Sequence, residues 1–294
     1  TAKVTYIPDI PETGAYAVYV SYGNTRNCVD QVRYEVRYAG GTAHFKVNQC
    51  MGAGTWVYLG TFHFLNGINI EQGSVVVYGG DKEGQISTDA VRFGGGMGNI
   101  ARNNMLSGKP RWMEGSRYYL QYAGMPDSIV YNLNSGRNDY NDDYMSRGEW
   151  VNYLVGPSRP QYNGKYSRGL NIPVDLALAF HTDAGVTNGD SIIGTLGIYS
   201  AVRNNGLFPS GQSKLASRDL TDIIQTQLVD DIRKQVNPDW TRRALWDREY
   251  SEAWRPVVPA MLLELLSHQN LADMKYGLDP RFKFIVARAI YKGM

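Results

Sequence analysis

Polar and apolar positions alternate along the first third of the chain, then give way to longer apolar runs and helical stripes. AYAVYVSY, VRYEVRYA, AHFKVNQ, TWVYLGTFHF, SVVVYG and TDAVRFG show a period of two and are broken by Gly and Asn turns. That pattern predicts an all-β sandwich over residues 1 to about 95. Gly40-Gly41 reads as a two-residue hairpin turn, which sets Ala39 opposite Thr42, Val36 opposite Phe45 and Glu35 opposite Lys46. After Gly94-Gly95-Gly96 the texture changes, and a Gly- and Asn-rich joint puts a boundary near residue 96. Residues 111–124 read as a helix stopped by Gly124, 128–132 as a short strand, 142–154 as a helix and 156–169 as a loop. Residues 174–180 are an almost unbroken apolar run, suited to a strand buried on both faces. Strands at 194–199 and 257–266 and helices at 213–235 and 279–292 complete the pattern. Leu220, Ile224, Leu228 and Ile232 form the apolar stripe of the first of these helices. Strands alternating with helices predict an α/β layer with a mainly parallel sheet. The expected organisation is therefore a β-domain over 1–96 and an α/β domain over 97–294.

Composition narrows the function class. Thirty Lys and Arg against 28 Asp and Glu give a net charge of +2, which argues against a dedicated nucleic-acid binder. No apolar run reaches the length of a membrane span. Twenty-one Tyr and 32 Gly, crowded into the first third, suit an exported β-domain and a carbohydrate-facing surface. The chain opens on strand-like TAKVTYIPDIPETG with neither signal peptide nor initiator methionine, and reads as a mature or trimmed piece of something longer. Periplasmic, outer-surface or secreted locations fit it best. The two cysteines, Cys28 and Cys50, match no metal spacing or nucleophile motif. The hairpin register brings Cys50 opposite Gln31, so a disulfide with Cys28 and a pair of reduced thiols both remain open.

Three residues carry candidate chemistry. His181 ends the apolar run of PVDLALAFHTDAG, at the strand edge where α/β sheets bind ligands. Glu264 is a lone carboxylate inside VVPAMLLELL, where burial is costly without a partner or a role. Glu114 is expected in the first turn of its helix, a place the helix dipole favours for an acid. A catalytic zinc takes about three protein ligands and leaves a position for water, whose proton a nearby carboxylate can accept. His181 and Glu114 suit the ligand role and Glu264 that of base. His44 and His63, inside alternating strands with no acid or cysteine at ligand spacing, read as ordinary strand residues.

Two resemblances sharpen this picture. PETGAYAVYVSY, VNQCMGAGTWVYLGTFHF and STDAVRFGG resemble the golvesin-like domain, also found beside proteins labelled xanthan lyase. The elements Asn48-Gln49, Gly54-Thr55-Trp56, Leu59-Gly60 and Asp89-Ala90-Val91-Arg92 follow in order. This resemblance implies a jelly-roll-like β-sandwich acting as a binding or spacer module, with no catalytic residue. Residues 100–294 resemble the zinc-dependent N-acetylmuramoyl-L-alanine amidases. Ala179-Phe180-His181-Thr182-Asp183-Ala184 stands for the family's histidine strand. Pro259-Ala260-Met261-Leu262-Leu263-Glu264 stands for the strand of the general base, and Glu114 in MEGSRYYLQYAG for the helix-opening zinc ligand. Arg137, Asp139, Arg147 and Asn152, then Ser217-Arg218-Asp219-Leu220, then Ala289-Ile290 with Gly293 also match in order. What the resemblance implies is a zinc site held by Glu114 and His181, with Glu264 as base and peptidoglycan or a related glycan-linked amide as substrate.

The departures are specific. The family's first ligand, a histidine in a Gly-His-Gly turn, has no counterpart and is expected upstream of Thr1, in an N-terminal segment of the same protein. Glu149 of RGEW falls on a surface helix by motif order, and His268 lies where the chain after Glu264 is one residue longer than usual. Two other readings compete with a zinc amidase. One is an extracellular polysaccharide-associated protein, and the other a cell-envelope binding protein with a metal-free amidase fold.

Overall fold

The computed structural model describes residues 2–80, 83–95, 108–109, 113–156 and 168–294, together with the backbone of short strands between these spans. The chain packs as two compact units. Residues 1–143 and 153–172 form one, and residues 144–152 and 173–294 the other.

The first unit begins with seven strands: β1 (Lys3–Tyr6), β2 (Gly14–Ser21), β3 (Val32–Tyr38), β4 (Gly41–Val47), β5 (Val57–Phe64), β6 (Ser74–Tyr78) and β7 (Ala90–Phe93). They pair antiparallel in two sheets, ordered β1-β6-β3-β4 and β5-β2-β7. The alternating residues explain why. Val18 and Val20 of β2, Val32, Tyr34 and Val36 of β3, and Val75 and Val77 of β6 are buried in one core shared by both sheets. Each such side chain contributes roughly 1.5–3 kcal/mol of burial.

The β3–β4 hairpin corrects the expected register. Its turn is Ala39-Gly40, and Gly41 already pairs with Tyr38. Gly41 has φ +133°, a backbone state that L side chains rarely adopt, so the second glycine serves as a strand residue and not a turn residue. The pairing slips by two positions, which keeps every side chain on its intended face. Glu35 therefore meets His44 and not Lys46, and its carboxylate accepts from Arg37 Nε at 2.8 Å and from the Tyr78 hydroxyl at 3.1 Å. The slip also settles the cysteines: Cys28 and Cys50 form a disulfide, with Cα atoms 5.2 Å apart.

Two short strands, β8 (Ala101–Arg102) and β9 (Met105–Leu106), pair with each other. Helix α1 (Ser116–Tyr122) follows and ends at Gly124, whose φ of +81° makes the expected stop. This helix belongs to the β-sheet unit for a physical reason. The Arg92 guanidinium lies 4.3 Å from the Tyr19 ring, 4.7 Å from Trp56 and 4.2 Å from Tyr122 of α1. The expected strand at 128–132 is instead a π-helical turn, Asp127–Tyr131, with Val130 buried. So short an apolar run has no period to tell a strand from a helical turn. Helix α2 (Asp139–Val155) and the paired strands β10 (Ser158–Gln161) and β11 (Lys165–Ser167) come next.

The second unit is built on the sheet β12-β15-β13-β14, made of β12 (Ala177–Asp183), β13 (Leu196–Tyr199), β14 (Trp246–Asp247) and β15 (Ala260–Ser267). Its helices are α3 (Leu215–Gln235), α4 (Ser251–Trp254), α5 (Leu271–Gly277) and α6 (Pro280–Gly293). The sheet is mixed. β12 pairs β15 and β13 pairs β14 in parallel, whereas β13 pairs β15 antiparallel. The segment between β12 and β13 carries no helix to bring the chain back for a parallel return, so β13 runs the other way. Met261, Leu263 and Leu265 of β15 pack with the stripe Leu220, Ile224, Leu228 and Ile232 of α3. Gly197 of β13 faces this helix, because a Cβ there would collide with Thr221 and meet Gln225. The opposite face holds Leu262, Leu196, Ile198 and Ala179. By the two-residue period, Glu264 and His181 belong to that second face. Among the described residues no helix is long and apolar enough to cross a membrane.

Candidate active site

The parallel register of β12 and β15 aligns Ala177 with Ala260 and, four steps on, His181 with Glu264. Paired residues of a parallel ladder project to the same side, so two apolar runs deliver one imidazole and one carboxyl to one place near their carboxyl ends. His181 is half-buried. Its Nε2 lies 2.9 Å from Oε1 of Glu252 on α4, and Arg147 Nη1 donates to that same oxygen at 3.0 Å. Glu264 Oε2 is buried and has no hydrogen-bond partner among the described residues.

The electrostatics follow from these neighbours. The hydrogen bond to Glu252 lifts the His181 imidazole above its ordinary value; burial opposes it, and the charges of Glu252 and Glu264 add to it. Burial would raise the Glu252 carboxyl, but His181 and Arg147 together hold it below the usual range. Burial raises Glu264, with the charge of His181 acting against it and that of Asp183 with it. At the end of β12, Asp183 accepts from Arg243 Nη1 at 2.6 Å.

Several residues drawn from motif order have structural work around this centre. Asn152 accepts from Val257 N at 2.8 Å and donates to the Arg255 carbonyl at 3.1 Å, which fixes the segment entering β15. Ser217 accepts from Ala260 N at 3.1 Å, tying α3 to the start of β15. Glu149 does not lie on an exposed surface. It is buried and accepts from Arg255 Nη1 at 2.7 Å, because the face of α2 that carries it also carries Asn152. His268 meets the Thr182 hydroxyl at 3.1 Å and lines a groove of 740 Å³ with Phe180, Leu265 and Phe282. Phe180 and Thr182 alternate with His181 along β12, so this groove lies on the other face of the sheet.

Glu114 belongs to the other compact unit. It does not sit in a first helical turn: α1 begins at Ser116 with Gly115 as its N-cap. His44 and His63 lie in β4 and β5. Sequence reasoning missed Glu252, which lies in REYSEAWRP, outside any apolar run that would make an acid conspicuous.

Among the described residues no three His, Cys, Asp or Glu side chains converge as a metal-holding group. The donors that do meet are fewer than the three protein ligands a catalytic zinc takes. His181 Nδ1 makes no hydrogen bond to a described residue, and the buried Oε2 of Glu264, its register partner, has none either.

Comparison with known proteins divides the chain. Xanthan lyase of Bacillus sp. (strain GL1) is 36% identical over 96 residues, which are 32% of this chain and 10% of that protein. The structure of Paenibacillus xanthan lyase matches at 33% identity with a TM-score of 0.29, covering 31% of this chain and 8% of that one. The chain thus spans about a tenth of the length of the curated relative it matches. The CwlD amidase from Clostridioides difficile, solved in complex with the GerS lipoprotein, matches at 18% identity with a TM-score of 0.36. That match covers 57% of this chain and 69% of that one. The family model that matches is the Golvesin C-terminal domain, and residues 1–95 carry it.

Proposed function

We propose that residues 97–294 form an amidase-like domain that hydrolyses the bond between muramic acid and L-alanine in peptidoglycan, or a related glycan-linked amide, with zinc as its metal. Residues 1–96 serve as a jelly-roll-like β-sandwich that binds or spaces, and the protein acts outside the cytoplasm. The observation that supports this reading is the register pair His181–Glu264, in which a buried carboxyl oxygen with no partner among the described residues accompanies an imidazole. The amidase-like order of motifs names the reaction, and it assigns Glu114 the second ligand position on sequence alone.

Each side chain then has a task. His181 would hold the metal through its ring. When bound, zinc supplies a Lewis acid and lowers the pKa of a water to about 7. Glu264 accepts the proton of the attacking water and returns it to the departing amine, a role helped by a carboxyl that burial has already raised. Glu264→Gln keeps the shape and the uncharged hydrogen-bonding capacity but cannot take the proton. It is expected to leave zinc affinity nearly unchanged and to slow hydrolysis by about a hundred- to ten-thousandfold. His181→Ala is expected to lose metal and activity together. Hydrolysis by Glu264→Gln at the unaltered rate, with zinc bound, would make this acid a structural residue and remove the base from the proposal.

A further inference from the structure

The sheet face that carries His181 and Glu264 continues to the open edge of the sheet. β14 is the last strand of the order β12-β15-β13-β14, and no described strand pairs with its outer side. The register carries the face there step by step. Leu262 pairs with Ile198, and Ile198 pairs with Trp246. Paired residues project to one side, and Leu262 alternates with Glu264 along β15, so Trp246 stands on the His181–Glu264 face. Its neighbour fixes the same direction. Leu245 lies on the opposite face, the one packed by α3, where its Cδ2 is 3.3 Å from the place a Cβ would take at Gly197.

Trp246 is open to solvent, at 39% exposure. Two arginines flank its ring without lying flat on it. Arg243 stands 5.4 Å from the ring centre and Arg248 5.9 Å, near the outer limit of a cation–π contact, whereas Arg92 lies 4.2 Å from Tyr122. Arg243 also joins the indole to the centre. Its Nη1 donates to Asp183 at 2.6 Å, and Asp183 follows His181 by two residues on the same face of β12. That ion pair neutralises Arg243. Arg248 gives one donor to the Asp247 carbonyl at 2.9 Å and keeps others. A broad indole face flanked by N–H donors suits a sugar ring: the C–H face stacks on the indole, and hydroxyl and acetamido oxygens accept from the guanidinium groups. An edge strand also leaves room for a polymer to pass. We propose that Trp246, flanked by Arg243 and Arg248, is the sugar subsite of this centre: it stacks on the muramic acid ring and so selects amides linked to a glycan over those of free peptides. This rests on the amidase reading and deepens it.

Binding to the purified protein, kept metal-free by a chelator so that ligand is not cut, tests the proposal. N-acetylmuramoyl-L-alanyl-D-isoglutamine and its sugar-free counterpart, N-lactoyl-L-alanyl-D-isoglutamine, are titrated by NMR. The Trp246 indole N–H, identified by its absence in Trp246→Phe, is the local reporter. The unaltered protein is expected to bind the muramyl peptide about three- to tenfold more tightly, with the indole signal moving for that ligand alone. Trp246→Ala should erase the preference and Trp246→Phe should keep most of it. Equal affinity for the two ligands, a preference that survives Trp246→Ala, or no binding of the muramyl peptide overturns the proposal. The preference as expected, with no alanine terminus freed from peptidoglycan by the zinc-loaded protein, supports the sugar subsite and overturns the amidase reading beneath it. Alanine termini freed by a protein that shows no preference for the sugar overturn the subsite and leave that reading standing.

Discussion

Two carboxyls near His181 are driven in opposite directions by their surroundings. Glu252 is half-buried beside an imidazole and a guanidinium, which hold its carboxyl below the usual range, while burial raises half-buried Glu264, whose Oε2 has no partner among the described residues. When neighbouring acids are pushed apart in this way, the raised one is the candidate for proton transfer. Burial has a second consequence at this scale, in the β-domain core. Tyr22 and Tyr34 are buried, and this pushes both hydroxyls up from 10.0 to about 12. Below pH 10 both folded and unfolded chains hold these protons, so the contribution to stability is complete. Between pH 10 and 12 the unfolded chain releases them first, and stability is lost by up to about 2–3 kcal/mol per tyrosine. Urea midpoints should therefore fall steeply above pH 10, and Tyr22→Phe should flatten the fall. Equal midpoints at pH 9 and 11.5 would contradict this. His181 and Glu264 were legible in the sequence because each interrupts an apolar run. Glu252 was not, because its importance comes from a contact 71 residues away.

At the scale of elements, the strength of the sequence pattern decided how well it could be read. The stripe of α3 and the alternating strands of the β-domain announce themselves by period, and the structure places them within a few residues of expectation. The hairpin slipped by two positions because two adjacent glycines leave the turn underdetermined until Gly41 takes its place in β4. The sheet came out mixed because strand direction depends on connections, which residue patterns do not encode. Glu149 was misplaced for a similar reason: nothing local shows that Arg255 will meet it at 2.7 Å in the interior. That pair yields a prediction for α2. Removing one partner leaves a buried charge uncompensated, so Glu149→Ala or Arg255→Ala should cost about 3–5 kcal/mol. Replacing both with methionine should cost much less than the sum. Calorimetry of the two single variants and the double variant checks this, and single losses below 1 kcal/mol would show that the charges are relieved by solvent.

For the whole molecule, the family match and the compact unit that contains it end at different places along the chain. The golvesin match ends at residue 95, whereas the compact β-unit extends through α1, held there by Arg92 against Tyr122. The enzymatic reading belongs to the remainder, where His181 and Glu264 share one face of the β12–β15 pair. Its central claim is amide hydrolysis at L-alanine, and the product tests it most directly. Purified peptidoglycan is digested with the zinc-loaded protein, the new amino termini are labelled, and the labelled residue is identified. The account predicts new N-terminal alanine, released about a hundred- to ten-thousandfold more slowly by Glu264→Gln. No new alanine terminus, or equal release by Glu264→Gln with zinc retained, would contradict it.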